Sequence, residues 1–172
     1  KLSDGDWIID GGNSHYKDSE KNGNLLHKKG INFAGLGISG GEEGARYGPA
    51  LMLGSISNKV SEITNEFLDK ISAVDSEKNN CFKIYKGYGA GHFVKMVHNG
   101  IEYAEMQLIS EIYDILRKNG KNNDYISEVF SKLSDSSQGS YLFEITHKII
   151  NKKIEGDSIL DKISPIARHK GT

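Results

Sequence analysis

Between Gly87 and Gly120 the chain keeps a single helical period, and this stretch limits the possible folds more than any other. Apolar residues return at helical spacing through Met106, Ile109, Ile112 and Leu116, and the run stops only at Gly120. A helix of that length spans a domain boundary or forms the spine of a helical domain. Projected at about 100° per residue, Phe93, Val97, Ile101, Ala104 and Leu108 share one side, which the pattern assigns to a core. The other side carries Lys95, His98, Asn99 and Glu102 at i, i+3, i+4 and i+7. A solvated face is one reading of that stripe, but such faces are usually interchangeable lysines and glutamates. A possible base, an imidazole, an amide and a possible acid stacked together are chemically less ordinary. Gly87, Gly89 and Gly91 precede them and let another backbone or a ligand come close.

Upstream of this helix the elements are short and broken by glycine. Residues 6–10, DWIID, form a short apolar run stopped by Gly11, Gly12, Asn13 and Ser14. The run predicts a buried strand with Asn13 just past its carboxyl end, the edge at which parallel α/β sheets collect ligands. A plain turn former is the alternative for Asn13. Residues 19–29 read as a polar helix closed at Gly30, and residues 31–35 as a second strand. Apolar positions 60, 63, 67, 68 and 71 predict an amphipathic helix over 60–71, and residues 81–85 a short last strand in which Cys81 packs. Strand, helix and strand in that order suit the tail of a doubly wound sheet. Beyond Gly120 the period stays helical. Tyr125, Ile126, Val129, Phe130 and Leu133 form one face, capped by Asn123 or Asp124, and Leu142, Ile145, Ile149 and Ile150 form another after Gly139. Both read as core helices of a bundle.

Composition excludes several classes of function. The 172 residues carry a net charge of −1, so no bulk attraction to nucleic acid or membrane follows. No apolar run reaches membrane-spanning length, and the single cysteine cannot form an internal disulfide. The chain opens on Lys1 in what reads as the middle of a domain, and is expected to be an internal fragment. Gly35, Gly37 and Gly40 have the spacing G-x-G-x-x-G of a dinucleotide loop, but Glu42 and Glu43 follow, and two carboxylates beside a pyrophosphate would repel it. No dinucleotide fingerprint stands in a suitable context elsewhere.

Four motifs, IIDGGNS, SGGEEGARYGP, GAGHFVKMVHNGIEY and KGT, occur in this order along essentially the whole chain. Together they resemble the decarboxylating 6-phosphogluconate dehydrogenase family. The resemblance implies an α/β plus all-α fold, with residues 1–87 the C-terminal part of a Rossmann-like NADP-binding domain and residues 88–172 the first helices of the helical domain. It implies Lys95 and Glu102 as catalytic residues, and Asn13, Ser39, Gly40, Gly41, His98, Asn99, Tyr103 and Lys170 as substrate-binding ones, with Asn13 also facing the cofactor NADP. It places Gly35–Ser55 in a glycine-rich substrate loop, whose hydroxyl and glycine amides can bind a carboxylate or hydroxyl at close range. It further implies a cytoplasmic homodimer acting on 6-phosphogluconate, without metal, nucleic acid or membrane. Three positions depart from the family pattern. Leu53 and Ser55 stand for a proline and a glycine, which bears on the stiffness of the following turn, and His169 stands for a glutamine.

Related β-hydroxyacid dehydrogenases, such as 3-hydroxyisobutyrate dehydrogenase, share the Ser-Gly-Gly loop and a catalytic lysine but place an Asn-Asn pair after it. Here the pair is His98-Asn99 and Glu102 follows, which favours the decarboxylating enzyme. A non-catalytic scaffold with the family fold is the other alternative, and the presence of Lys95 and Glu102 argues against it. The implied chemistry needs a lysine that can be neutral and a carboxyl that can be protonated, and burial is expected to supply both. The 172 residues alone are expected to be inactive and to bind NADP⁺ poorly.

Overall fold

The computed structural model describes residues 1–57, 59–164 and 166, with the side chains of residues 62 and 63 outside that description. The chain divides into two compact units, one comprising Lys1–Asn99 and the other beginning at Gly100.

The first unit is built on a four-stranded sheet of β1 (Trp7–Asp10), β2 (Asn32–Ser39), β3 (Ala50–Ser55) and β4 (Phe82–Lys86), in that spatial order. β1 runs parallel to β2 and β3 parallel to β4, whereas β2 and β3 are antiparallel, so the sheet is mixed. Helices α1 (Tyr16–His27), α2 (Gly41–Tyr47) and α3 (Val60–Ile71) connect the strands. α1 begins three residues earlier than its polar run suggests, because the His15 side chain caps it by accepting from the Lys17 N–H. Its end is closed by Gly30, at φ +73°, whose N–H donates to the His27 carbonyl. α3 has the expected bounds, with Val60 and Leu68 buried. The core joins Ala34 and Leu36 of β2, Leu51 and Leu53 of β3, and those two residues of α3.

Two sequence expectations change here. β1 is half-buried rather than buried, because it lies at the edge of the sheet and leaves Ile9 exposed. The stretch Gly35–Ser55 is no loop, but the end of β2, all of α2 and all of β3. Leu53 is fully buried in β3, and the hydroxyl of Ser55, the last residue of that strand, donates to the Phe33 carbonyl at 2.9 Å.

Helix α4 (Ala90–Lys118) leaves the sheet unit and continues into the second, where α5 (Asn123–Ser134) and α6 (Tyr141–Asn151) follow. Ile109, Ile126, Phe130 and Ile150 form the buried core of that unit. The cap of α5 is Asn122, which accepts from the Tyr125 N–H, and not Asn123 or Asp124. A two-stranded hairpin of β5 (Lys153–Ile154) and β6 (Asp157–Ser158) and one 3₁₀ turn (Ile159–Lys162) follow. Among the described residues no helix is long and apolar enough to cross a membrane.

The apolar stripe of α4 is not where the helix is buried. Phe93 and Val97 are each 44 % exposed, Ile101 66 % and Leu108 60 %, and Ala104 is exposed as well. In the sheet unit α4 docks instead through Gly91 and His92, both buried. A Cβ at Gly91 would stand 2.1 Å from the Met52 carbonyl and 2.4 Å from that of Gly35, so only glycine allows the helix to come this close. The His92 ring fills the adjacent space, its Nδ1 2.7 Å from the Ser19 hydroxyl on α1.

Candidate active site

The turn after β1 is fixed from two sides. One Asp10 carboxylate oxygen accepts from the Gly12 N–H at 3.0 Å, and the other from the Ser14 hydroxyl at 2.7 Å. This clamp presents Asn13 beyond the carboxyl end of the strand. Asn13 Oδ1 there accepts a hydrogen bond from Lys95 Nζ at 2.8 Å. Lys95 Nζ also donates to the carbonyl of Ile38, near the end of β2. The ends of two adjacent strands and the second turn of α4 thus meet at one ammonium group.

Ser39 is the last residue of β2, half-buried and next to that carbonyl. Gly40 and Gly41 follow with φ of +140° and +57°, so the chain reverses into α2 through a backbone that L side chains rarely adopt. Glu42 and Glu43 occupy the first turn of α2, where the helix dipole favours negative charge. One turn beyond Lys95, the half-buried His98 and Asn99 face each other, with Nδ1 and Oδ1 3.2 Å apart. Asn13, Ser39, Gly40, Gly41, Lys95, His98 and Asn99 all belong to the sheet unit. Glu102, half-buried, and Tyr103, exposed, lie further along α4 in the second unit. Lys170 and His169 fall outside the described residues.

The burial expected around the proton-transfer groups is not supplied, since Lys95 and Glu102 are both only half-buried. At Lys95 the reason is geometric: the side chain lies over the sheet edge and is held by oxygen acceptors, not enclosed by apolar walls. The Ile38 carbonyl and the Asp10–Ser14 clamp went unread in the sequence. The clamp could have been found from the D-x-x-x-S spacing in DGGNS, whereas a backbone acceptor has no side-chain signature. Gly35 and Gly37 lie inside β2 and not in a strand-to-helix turn, so they cannot cradle a pyrophosphate. Among the described residues no cluster of His, Cys, Asp and Glu is arranged to hold a metal ion.

Comparison with known proteins shows first the fold and then the family. The 3-hydroxyisobutyrate dehydrogenase of Salmonella typhimurium, 17% identical, shares the fold with a TM-score of 0.66 over 87% of this chain and 49% of its own. A much closer match is the 6-phosphogluconate dehydrogenase of Plasmodium falciparum, 42% identical with a TM-score of 0.89 over 99% of this chain and 37% of that one. Residues 1–87 match the family model of the NAD binding domain of 6-phosphogluconate dehydrogenase, and residues 91–172 that of its C-terminal domain. The decarboxylating 6-phosphogluconate dehydrogenase 1 of Saccharomyces cerevisiae is 49% identical over 99% of this chain. The chain belongs to the 6-phosphogluconate dehydrogenase family, and spans 35% of the length of that yeast relative.

Proposed function

We propose that the protein carrying this chain oxidises and decarboxylates 6-phosphogluconate to ribulose 5-phosphate and CO₂ with reduction of NADP⁺, the step of the pentose phosphate pathway named by its relatives' activity. The observation that carries this reading is Lys95 Nζ held on Asn13 Oδ1 at the carboxyl edge of β1. The Plasmodium falciparum relative was solved with NADP⁺ as its cofactor and 6-phosphogluconate as its substrate. Of the cofactor's contacts this chain offers the amide of Asn13, which fits a group lying across that edge. Bound NADP⁺ would supply the acceptor for the hydride leaving C3.

The chain's own residues then divide the proton work. Lys95, in its neutral form, takes the proton of the substrate 3-hydroxyl as C3 is oxidised. The resulting 3-keto acid loses CO₂ because the ketone accepts the electrons of the broken bond, and Lys95, now an ammonium, donates to that oxygen. Glu102 protonates the enediol at C1. Ser39, Gly40, Gly41, His98, Asn99 and Asn13 hold the sugar acid, and Tyr103 and Lys170 its phosphate. In this reading residues 1–87 end the NADP-binding domain and residues 88–172 begin the helical one, in a cytoplasmic homodimer. Because Lys95 and Glu102 are half-buried here, bound substrate must complete the desolvation their roles require.

Lys95→Met in the full-length protein tests the reading. Loss of a general base lowers the rate by roughly 10²–10⁴, so kcat should fall by that order while NADP⁺ affinity stays unchanged. Turnover within a few-fold of the unmutated protein would overturn the assignment.

A further inference from the structure

We propose that Gly37 is a positioning residue that sets the reach of Lys95, an inference that rests on the catalytic reading of Lys95 above. Gly35 and Gly37 lie two apart on β2 and point to the same face, the one on which α4 rests. Their contacts differ. A Cβ at Gly35 would meet the Tyr88 carbonyl at 2.6 Å and the His92 ring at 3.1 Å. A Cβ at Gly37 would stand 2.8 Å from the Cβ of Lys95 itself and 2.8 Å from the Gly91 carbonyl. At Gly37, unlike Gly35, the nearest neighbours of such a Cβ thus include the Lys95 side chain. The next residue, Ile38, offers the carbonyl that accepts from Lys95 Nζ.

Two consecutive residues of β2 therefore bear on the two ends of one side chain: Gly37, by lacking a Cβ, leaves the space in which the Lys95 Cβ sits, and the Ile38 carbonyl accepts from the ammonium. A lysine stem between two fixed ends has little freedom left, and Nζ is brought onto Asn13 Oδ1. This accounts for the G-x-G spacing of Gly35 and Gly37, which serves no nucleotide. Adding one methyl at Gly37 would drive the base of Lys95 from 2.8 Å to at least the 3.4 Å of ordinary contact. With its stem displaced, Nζ cannot keep both the Ile38 and the Asn13 oxygens.

The test compares Gly37→Ala with Gly54→Ala in the full-length protein. A Cβ at Gly54 also presses on α4, but on Gly91 N, the Gly87 carbonyl and Ala90 N, not on Lys95. Each lysine's rate of acylation by an N-hydroxysuccinimide ester is read by peptide mass spectrometry, beside kcat and the KM for NADP⁺. In the unmutated protein Lys95 should acylate several times more slowly than the exposed Lys83. Gly37→Ala should abolish that protection and lower kcat by at least about tenfold, as displaced catalytic groups do, with KM for NADP⁺ unchanged. Gly54→Ala should cost thermal stability while leaving Lys95 protected. Equal loss of protection in the two variants, or protection retained in Gly37→Ala, would overturn the proposal. Should Gly37→Ala fail to fold, the unmutated protein still decides, since Lys95 acylating as fast as Lys83 overturns the proposal. The labelling does not depend on turnover, so an active Lys95→Met would remove the catalytic reading and leave the positioning result standing.

Discussion

Tyr88 shows how one residue ties this fold to pH. Its ring is 2 % exposed, edge-on to Phe33 at 6.0 Å, and packed so closely on α1 that a Cβ at Gly23 would lie 2.3 Å from it. Burial raises its pKa, and the Glu20 carboxylate adds to the rise. Unfolded, the phenol ionises near its ordinary value of about 10. The folded value is higher, so Tyr88 contributes its full stability below about pH 10. That contribution is lost as the pH climbs through the folded value. In an alkaline absorbance titration of the eight tyrosines, one should lag and ionise together with unfolding. All eight ionising together near the ordinary value would contradict this. At the same scale, the sequence made Asn13, Lys95, His98 and Asn99 legible through motif and helical spacing, and the structure brings Asn13 to Lys95. It could not disclose the Ile38 carbonyl or the space that Gly37 leaves for Lys95, because both depend on backbone placed by strand pairing 50 residues or more from the helix.

The elements were legible where one face alone is apolar and illegible where glycine replaces side chains. α3 has its expected bounds, β4 is displaced by one residue, and α4 ends where Gly120 said it would. The segment from Gly35 to Ser55 hid two strands and a helix, since the glycines that read as loop are what permit close packing there. The face of α4 was misassigned for the same reason. Apolar periodicity marks the side that side chains would bury, whereas this helix meets the sheet through Gly91 and leaves Phe93 and Val97 exposed. α5 offers a cleaner test of cap chemistry. Asn122 Oδ1 accepts from the Tyr125 N–H at 2.9 Å, while Asn123 Oδ1 accepts from the Tyr113 hydroxyl at 3.2 Å. Asn122→Ala should therefore destabilise α5 by about 1 kcal/mol, the usual worth of an N-cap. A shift in the urea midpoint measures it, and an unchanged midpoint would mean that the orphan N–H groups are satisfied elsewhere.

For the whole molecule, the exposed apolar residues along α4 and the missing phosphate cradle make a joint prediction. Ile101, Leu108 and Ile115, seven residues apart, are each at least 58 % exposed, so they set an apolar row along one side of the helix in water. Purified as these 172 residues, the chain should sediment with a weight-average mass that rises with concentration. Calorimetry should show no saturable NADP⁺ binding, because the glycine turn that gives Rossmann domains their affinity is not among these residues. A concentration-independent monomer, or one NADP⁺ bound per chain at micromolar affinity, would contradict this. The docking of α4 by Gly91 also has a meaning for descent. Apolar cores drift, because one side chain can shrink while its neighbour grows and the volume is kept. At Gly91 the partners are main-chain atoms of Met52, Gly35 and Gly54, which no mutation can make smaller. No second change can compensate a first one there. Lineages descending from this chain are free to rewrite the core around Leu51 and Leu68, but they can inherit the seat of α4 only unaltered.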